Sequence, residues 1–267
     1  RDIGRGILAD RRGPAAAGRW LGSGLGLAWR LQRGSVLGWA IGLFLGGLAY
    51  GSIGDDVGDL IGDGATAREM FAQAGSLVDG FYATAVLMLA LIGSGFAISS
   101  ALRPLGEEES GRTEALLATG LSRRRWLADQ IVVTVAGSAV VLVGAGLGLG
   151  LGYALVTGDG GAIARLGAPI IAQLAPVLVL SGFARLLYGL APRLLPLAWL
   201  LLGLCGVVML FGELWRLPGW LRGLSPFDHL ALVPAESFRW GPVLAVGAVA
   251  VFLSVAGQVA FSRRDIG

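Results

Sequence analysis

Six stretches of this chain run almost without charge: Val36–Ile53, Phe81–Leu102, Ile131–Val156, Leu166–Phe183, Leu194–Phe211 and Pro242–Phe261. Each reaches the roughly 18 to 20 residues that a helix needs to cross about 30 Å of hydrocarbon. They are continuous and rich in Leu, Ala and Gly, whereas strands of a membrane barrel alternate over about ten residues. The pattern predicts an all-α polytopic membrane protein with six transmembrane helices. It also predicts three segments, a linker with an interfacial helix over 1–35, a six-helix domain over 36–261 and a tail over 262–267.

Small residues and prolines add detail inside the spans. Gly38, Gly42 and Gly46 recur every four residues in the first span, a spacing that predicts close approach of another helix there. Gly144, Gly146, Gly148, Gly150 and Gly152 predict the same for the third. Pro169 and Pro176 predict a kink in the fourth, with neighbouring groups satisfying the freed carbonyls.

The segments between the spans differ in charge. Residues 1–22 are rich in Arg, Gly and Ala and read as a linker. Ser23–Ser35 places Trp29, Arg30 and Arg33 among Leu25, Leu27 and Leu31, which suits either an interfacial helix or a juxtamembrane extension of the first span. Residues 213–240 are too polar to span yet carry Trp215, Trp220, Phe227, Phe238 and Trp240, which predicts short helices at a headgroup boundary, broken at Pro218, Pro226 and Pro234.

All 21 basic residues are arginine. On six spans, 16 of them fall on the face holding both termini and 5 on the other, a bias that predicts both termini in the cytoplasm. The net charge of +3 therefore reads as topology, and no nucleic-acid partner is expected. Without lysine the chain holds no standard Walker A motif. Any nucleotide chemistry belongs to another subunit, and no cofactor is expected.

Catalytic constellations are sparse. His229 is the one histidine, which excludes two-histidine metal motifs, and Cys205 is the one cysteine, placed as a small core residue. An intramembrane hydrolase would need Ser94 within reach of His229, across an unexpected difference in depth. The acidic run Asp55, Asp56, Asp59, Asp63, Glu69 and Asp79 matches no EF-hand spacing, so no metal is expected. Ion-coupled transport would place ionisable residues inside the spans. Asp129 and Arg185 are expected near span ends, in reach of water or headgroups.

The longest charged passage is Arg103–Trp126, between the second and third spans. It begins with Glu107, Glu108 and Glu109 and closes on Arg123, Arg124 and Arg125. Acid first and base last suits the dipole of a short helix over 107–120. Within it, Glu108-Glu109-Ser110-Gly111-Arg112-Thr113-Glu114-Ala115-Leu116-Leu117-Ala118-Thr119, followed by Leu121-Ser122-Arg123, resembles the E-E-x-G-x-x-E-x-L-L-x-(T/S)-x-(L/V)-S-R pattern of type-2 ABC exporter permeases. The same tetrapeptide, Arg-Asp-Ile-Gly, stands at 1–4 and 264–267. With Gly26–Gly34 and Leu224-Ser225-Pro226-Phe227, it is similar to actinobacterial polyketide-antibiotic exporter permeases, which hold two six-helix halves in one polypeptide.

The resemblance implies a non-enzymatic permease half in the plasma membrane, the second of a duplicated pair. An ABC ATPase subunit would dock on the loop, and a second permease half, joined or dimeric, would complete the pathway for a hydrophobic small molecule such as an antibiotic. Glu108, Glu109, Gly111, Glu114, Leu116 and Leu117 are the expected coupling residues. Trp29, Arg30, Arg33, Arg123, Arg124 and Arg125 are the expected anchors to membrane lipid. A non-transporting scaffold that recruits a soluble partner through the same loop is the alternative.

Overall fold

The computed structural model describes residues 23–53, 65–109, 122–212 and 214–263, with side chains described except at 65–78, 109 and 123. Among the described residues there are no strands, and six helical segments are long and apolar enough to cross a membrane. Helices suit these runs because each backbone N–H and C=O finds its partner within the segment, where hydrocarbon offers none.

Helix α1 spans Gly24–Ile53, about 45 Å at 1.5 Å per residue, and the Ser23 hydroxyl accepts from the Gly26 N–H at its start. It runs unbroken through residue 35. Trp29, Arg30 and Arg33 therefore sit on the same continuous helix as the first span. Helix α2 spans Ala65–Glu109 and α3 spans Arg123–Thr157. Ser122 caps α3 at one end by accepting from the Arg125 N–H, and Gly158 closes it in the left-handed region (φ 74°) that a glycine adopts without steric cost.

The fourth crossing is broken, as its prolines foretold. Helix α4 spans Ala162–Gly167, a 3-10 turn covers Ala168–Ile171, and α5 spans Leu174–Leu190. The break centres on Pro169. Ala172 N–H donates to the Pro169 carbonyl and Gln173 N–H to that of Ile170, both at 3.1 Å, which satisfies carbonyls that a regular helix would have paired. Pro176 falls in the first turn of α5, where a missing N–H costs no intrahelical bond. Helix α6 spans Pro196–Phe211 and α8 spans Trp240–Arg263. Between them lie the four-residue α7, Gly219–Arg222, and a 3-10 turn at Pro226–His229, the expected broken segment.

The starts of α1 and α3 and the ends of α2, α5 and α8 share one end of the bundle, called proximal below; the turns after α1, α3 and α6 form the distal end. Helix α3 packs along α1 through one face and against α4 through another. On the α1 face, Cβ atoms at Gly148 and Gly152 would overlap the carbonyl oxygens of Phe44 and Leu48. On the α4 face, one at Gly146 would lie 2.5 Å from the Gly167 carbonyl oxygen. Alternate glycines in the third span thus serve two faces, because a two-residue step turns an α-helix by about 200°. The expectation for the first span is corrected. Gly38 and Gly42 face open space and Gly46 meets only the Leu89 side chain, while the adjacent Gly47 and Gly51 lie against α3.

Near the proximal end, α1, α2 and α3 are joined by a buried polar chain. Gln32 Nε2 donates to Gln130 Oε1 (2.9 Å), Ser100 Oγ donates to Gln32 Oε1 (2.6 Å), and the Ser100 and Thr134 hydroxyls lie 2.9 Å apart. Gln32, Ser100, Gln130 and Thr134 are all buried, so each amide and hydroxyl depends on the others.

Two consequences are measurable by thermal unfolding of the purified chain in detergent, followed by circular dichroism. Gly148→Leu should cost about 1–3 kcal/mol or prevent folding, since backbone blocks the new side chain. Gly42→Leu should leave stability unchanged, and equal losses would contradict the assigned packing face. Gln130→Leu should cost about 1–2 kcal/mol by leaving the Gln32 amide without its acceptor.

Candidate functional site at the proximal end

The residues flanking the 110–121 segment bond to helices far along the chain at the proximal end. Glu107, Glu108 and Glu109 form the last turn of α2. This corrects the expectation that the acidic triplet opens a helix of its own. A carboxylate at a helix C-terminus gains nothing from the dipole, so another contact must favour it there. For Glu108 that contact is Tyr188 of α5, whose hydroxyl donates to Glu108 Oε2 at 2.6 Å, a length typical of an O–H bond to a charged acceptor.

Tyr188 is itself held from two sides. Its ring stacks on Phe261 of α8, with centroids 5.1 Å apart and planes at 21°, and Phe261 also meets Trp126 of α3 at 6.1 Å. All three rings are buried. Gln258 of α8 donates to the Arg124 carbonyl at 2.8 Å, tying α8 to the first turn of α3. The chain end that enters the 110–121 segment is therefore fastened to α5 through Glu108, and the end that leaves it to α8 through Arg124. Helices α5 and α8 approach closely because Gly189 meets the Gly257 carbonyl oxygen and Gly257 meets the Arg185 backbone.

The expected site residues divide by position. Glu108 is turned into the bundle. Glu109 closes α2, and its side chain lies outside the described residues, as do Gly111, Glu114, Leu116 and Leu117 in full. Of the expected anchors, Trp29, Arg30, Arg33, Arg124 and Arg125 are exposed near the starts of α1 and α3, at the proximal end. The Arg123 side chain lies outside the described residues.

Arg185 departs from expectation. It lies inside α5 and is 6% exposed, away from any free helix end. Its Nη1 donates to Ser254 Oγ of α8 at 3.1 Å, and its Nη2 has no hydrogen-bond partner among the described residues. Extension of the fourth crossing to Leu190, seven residues past the expected end, is what carries Arg185 inward. Asp129 is half-buried, with one carboxylate oxygen sequestered and without a hydrogen-bond partner among the described residues. The buried Gln32 and Gln130 were also missed; uncharged amides in apolar surroundings leave little signal beyond their polarity.

No hydrolase pairing forms. The Ser94 hydroxyl donates to the Ala90 carbonyl (3.0 Å) within its own helix, and His229 Nε2 lies 2.9 Å from the Gly223 carbonyl oxygen. Cys205 is buried. Among the described residues no cluster of His, Cys, Asp or Glu suits a metal, and the acidic run lies outside them except for Glu69, whose side chain is not described, and Asp79, 3.7 Å from Arg165.

At the distal end a cleft of about 620 Å³ opens between α2, α6 and the broken segment. Thr84, Leu87, Val208 and Phe227 line one part of it, and Arg222 and Asp228, 3.5 Å apart, another. The volume falls within the usual range of small-molecule pockets.

Residues 21–262 match the family model described as multidrug efflux system permease Rv1217c, C-terminal domain. The chain is 40% identical to the multidrug efflux system permease protein Rv1217c of Mycobacterium tuberculosis (strain ATCC 25618 / H37Rv), over 272 residues that cover 100% of this chain. It spans 49% of that relative's length. With six helices long and apolar enough to cross a membrane and a family match across nearly its whole extent, the chain belongs to the C-terminal-domain family of the multidrug efflux permease Rv1217c.

Proposed function

We propose that this chain is one membrane half of an ATP-driven exporter that moves hydrophobic small molecules, such as antibiotics, across the plasma membrane. Nucleotide hydrolysis takes place on a separate ATPase subunit that docks on the 110–121 segment. A second six-helix half, covalently joined or as a partner, completes the pathway; the relative's twofold greater length supports that reading. The proximal end faces the cytoplasm, in line with the arginine bias, and Arg30, Arg33, Arg124 and Arg125 meet lipid phosphates there.

The observation that carries the proposal is the fastening of the loop. A segment that merely connected two spans would need no bonds from its flanks to distant helices. Here Glu108 is bound to α5 and Arg124 to α8, so a force on the loop is delivered to helices far along the chain. Closely packed helices shift as bodies, which turns a local push into a tilt of the bundle. Glu109, Gly111, Glu114, Leu116 and Leu117 supply the docking surface, while Glu108 acts as the link inside the bundle. The distal cleft is of a size to pass a drug-like molecule.

Two substitutions separate docking from transmission. Leu116→Asp with Leu117→Asp should abolish co-purification of the ATPase and drug export together; retention of both would refute the docking surface. Tyr188→Phe should leave co-purification intact but reduce ATP-driven export by about tenfold, the equivalent of losing a hydrogen bond to a charged group worth about 1.5 kcal/mol. Undiminished export would remove Glu108 from the path.

A further inference from the structure

Small residues elsewhere in this bundle bring two backbones together, but one row of them faces a cleft instead. Ala164, Ala168 and Ala172 recur every four residues along the fourth crossing, and all three line a cleft of about 460 Å³. Opposite them stand Val233 and Phe238 of the broken segment and Trp240 and Val243 at the start of α8. Ile171, Phe238 and Trp240 in these walls are exposed, so the cleft opens onto a surface that the bilayer surrounds.

The cleft is graded in polarity along its depth. Both crossings that wall it begin at the distal end, so Arg165 and Trp240 stand at its mouth and Ala172 and Val243 at its floor. From Arg165 to Ala172 the chain descends about 10 Å at 1.5 Å per residue. Ala172 and Val243 pack on the small buried cluster of Val179, Leu230, Val246 and Ala250, which closes the floor. At the mouth, the Phe238 and Trp240 rings meet edge to face with centroids 4.8 Å apart, and aromatic rings of this kind suit the headgroup boundary.

Arg165 is the one charged side chain in the lining. Asp79 of α2 lies 3.7 Å from it, beyond hydrogen-bond length, and the Tyr153 ring of α3 supports the guanidinium at 6.0 Å. The Arg165 side chain is half exposed, and an exposed ion pair of that length competes weakly with a better acceptor. A guanidinium presents five N–H donors in a planar fork that matches the oxygens of a phosphate.

We infer that this cleft binds one membrane phospholipid, with the phosphate on Arg165 and an acyl chain laid along Ala164, Ala168 and Ala172 toward Val243. A cation above apolar walls, at the level of the headgroups, has the charge and polarity order of a lipid. The site is also separate from the 620 Å³ cleft given to the transported molecule, since the two share no lining residue. Leu230, Leu232 and Arg239 line that larger cleft while Val233, Phe238 and Trp240 line this one, so the segment before α8 partitions them. A lipid held here fills the gap between the break at Pro169 and the start of α8. The inference depends on the place of the chain in a membrane and not on its coupling to an ATPase.

The test counts lipids on the purified full-length transporter by native mass spectrometry, after delipidation in detergent and titration with phosphatidylglycerol. Ala168→Phe, which fills the cleft, should lower the number of tightly held phosphatidylglycerol molecules by one. Arg165→Gln should weaken that lipid at least fivefold, and Arg165→Lys, which keeps the charge, less than threefold. Dioleoylglycerol, with acyl chains but no phosphate, should bind the parent at least fivefold more weakly than phosphatidylglycerol. Thermal unfolding in lipid-free detergent checks that each variant folds; Arg165→Gln alters a half-exposed side chain and decides the matter if Ala168→Phe does not fold. An unchanged count and affinity in Arg165→Gln would overturn the inference, as would equal binding of dioleoylglycerol. Displacement of the lipid by ethidium would assign the cleft to transported molecules and overturn it as well.

Discussion

Backbone contact on two faces of α3 is the constraint from which the rest of the bundle follows. In hydrocarbon, apolar side chains gain little by choosing one another over lipid, so helices associate where small residues let main chains approach. Gly148 and Gly152 bring α3 against α1, while Gly146 and Gly150 bring it against α4. With both neighbours seated this closely, α2 can lie across them, and α5 packs on α2. The remaining helices, α6 and α8, expose most of their surface, as membrane-facing helices should.

Polar groups add specificity where packing alone would allow sliding. Gln32, Ser100, Gln130 and Thr134 satisfy one another in a single arrangement of α1, α2 and α3, so a shift of any one helix exposes an unmet amide or hydroxyl. The link between Glu108 and Tyr188 differs in kind. It joins the Glu108 carboxylate at the end of α2 to the Tyr188 hydroxyl of α5. The first set fixes a core, whereas the second ties the end of α2 to α5.

Much of the fold was legible in the pattern of apolar residues. All six crossings were found, with the proline break in the fourth and the broken aromatic segment before the sixth, because a membrane demands long uninterrupted helices and proline cannot donate to them. Boundaries were less legible. Helix α1 begins 12 residues before the expected start, and α5 runs seven beyond the expected end, because arginine and tryptophan are compatible with a helix that leaves the hydrocarbon. The glycine repeat of the first span named the wrong face. Gly42 and Gly47 are both small, and only the position of α3 distinguishes which of them meets it.

The sequence by itself determined that this is a six-helix membrane protein with a charged loop between its second and third crossings, because hydropathy and length act locally and need no knowledge of neighbours. It also marked that loop as the feature to explain. Tertiary structure decided what the loop is fastened to. Glu108 meets Tyr188 across 80 residues of chain, and Arg124 meets Gln258 across 134, distances over which no local pattern carries information. It also decided that Arg185 is enclosed, because burial depends on how close α5 and α8 lie, and that spacing is set by glycines on both helices.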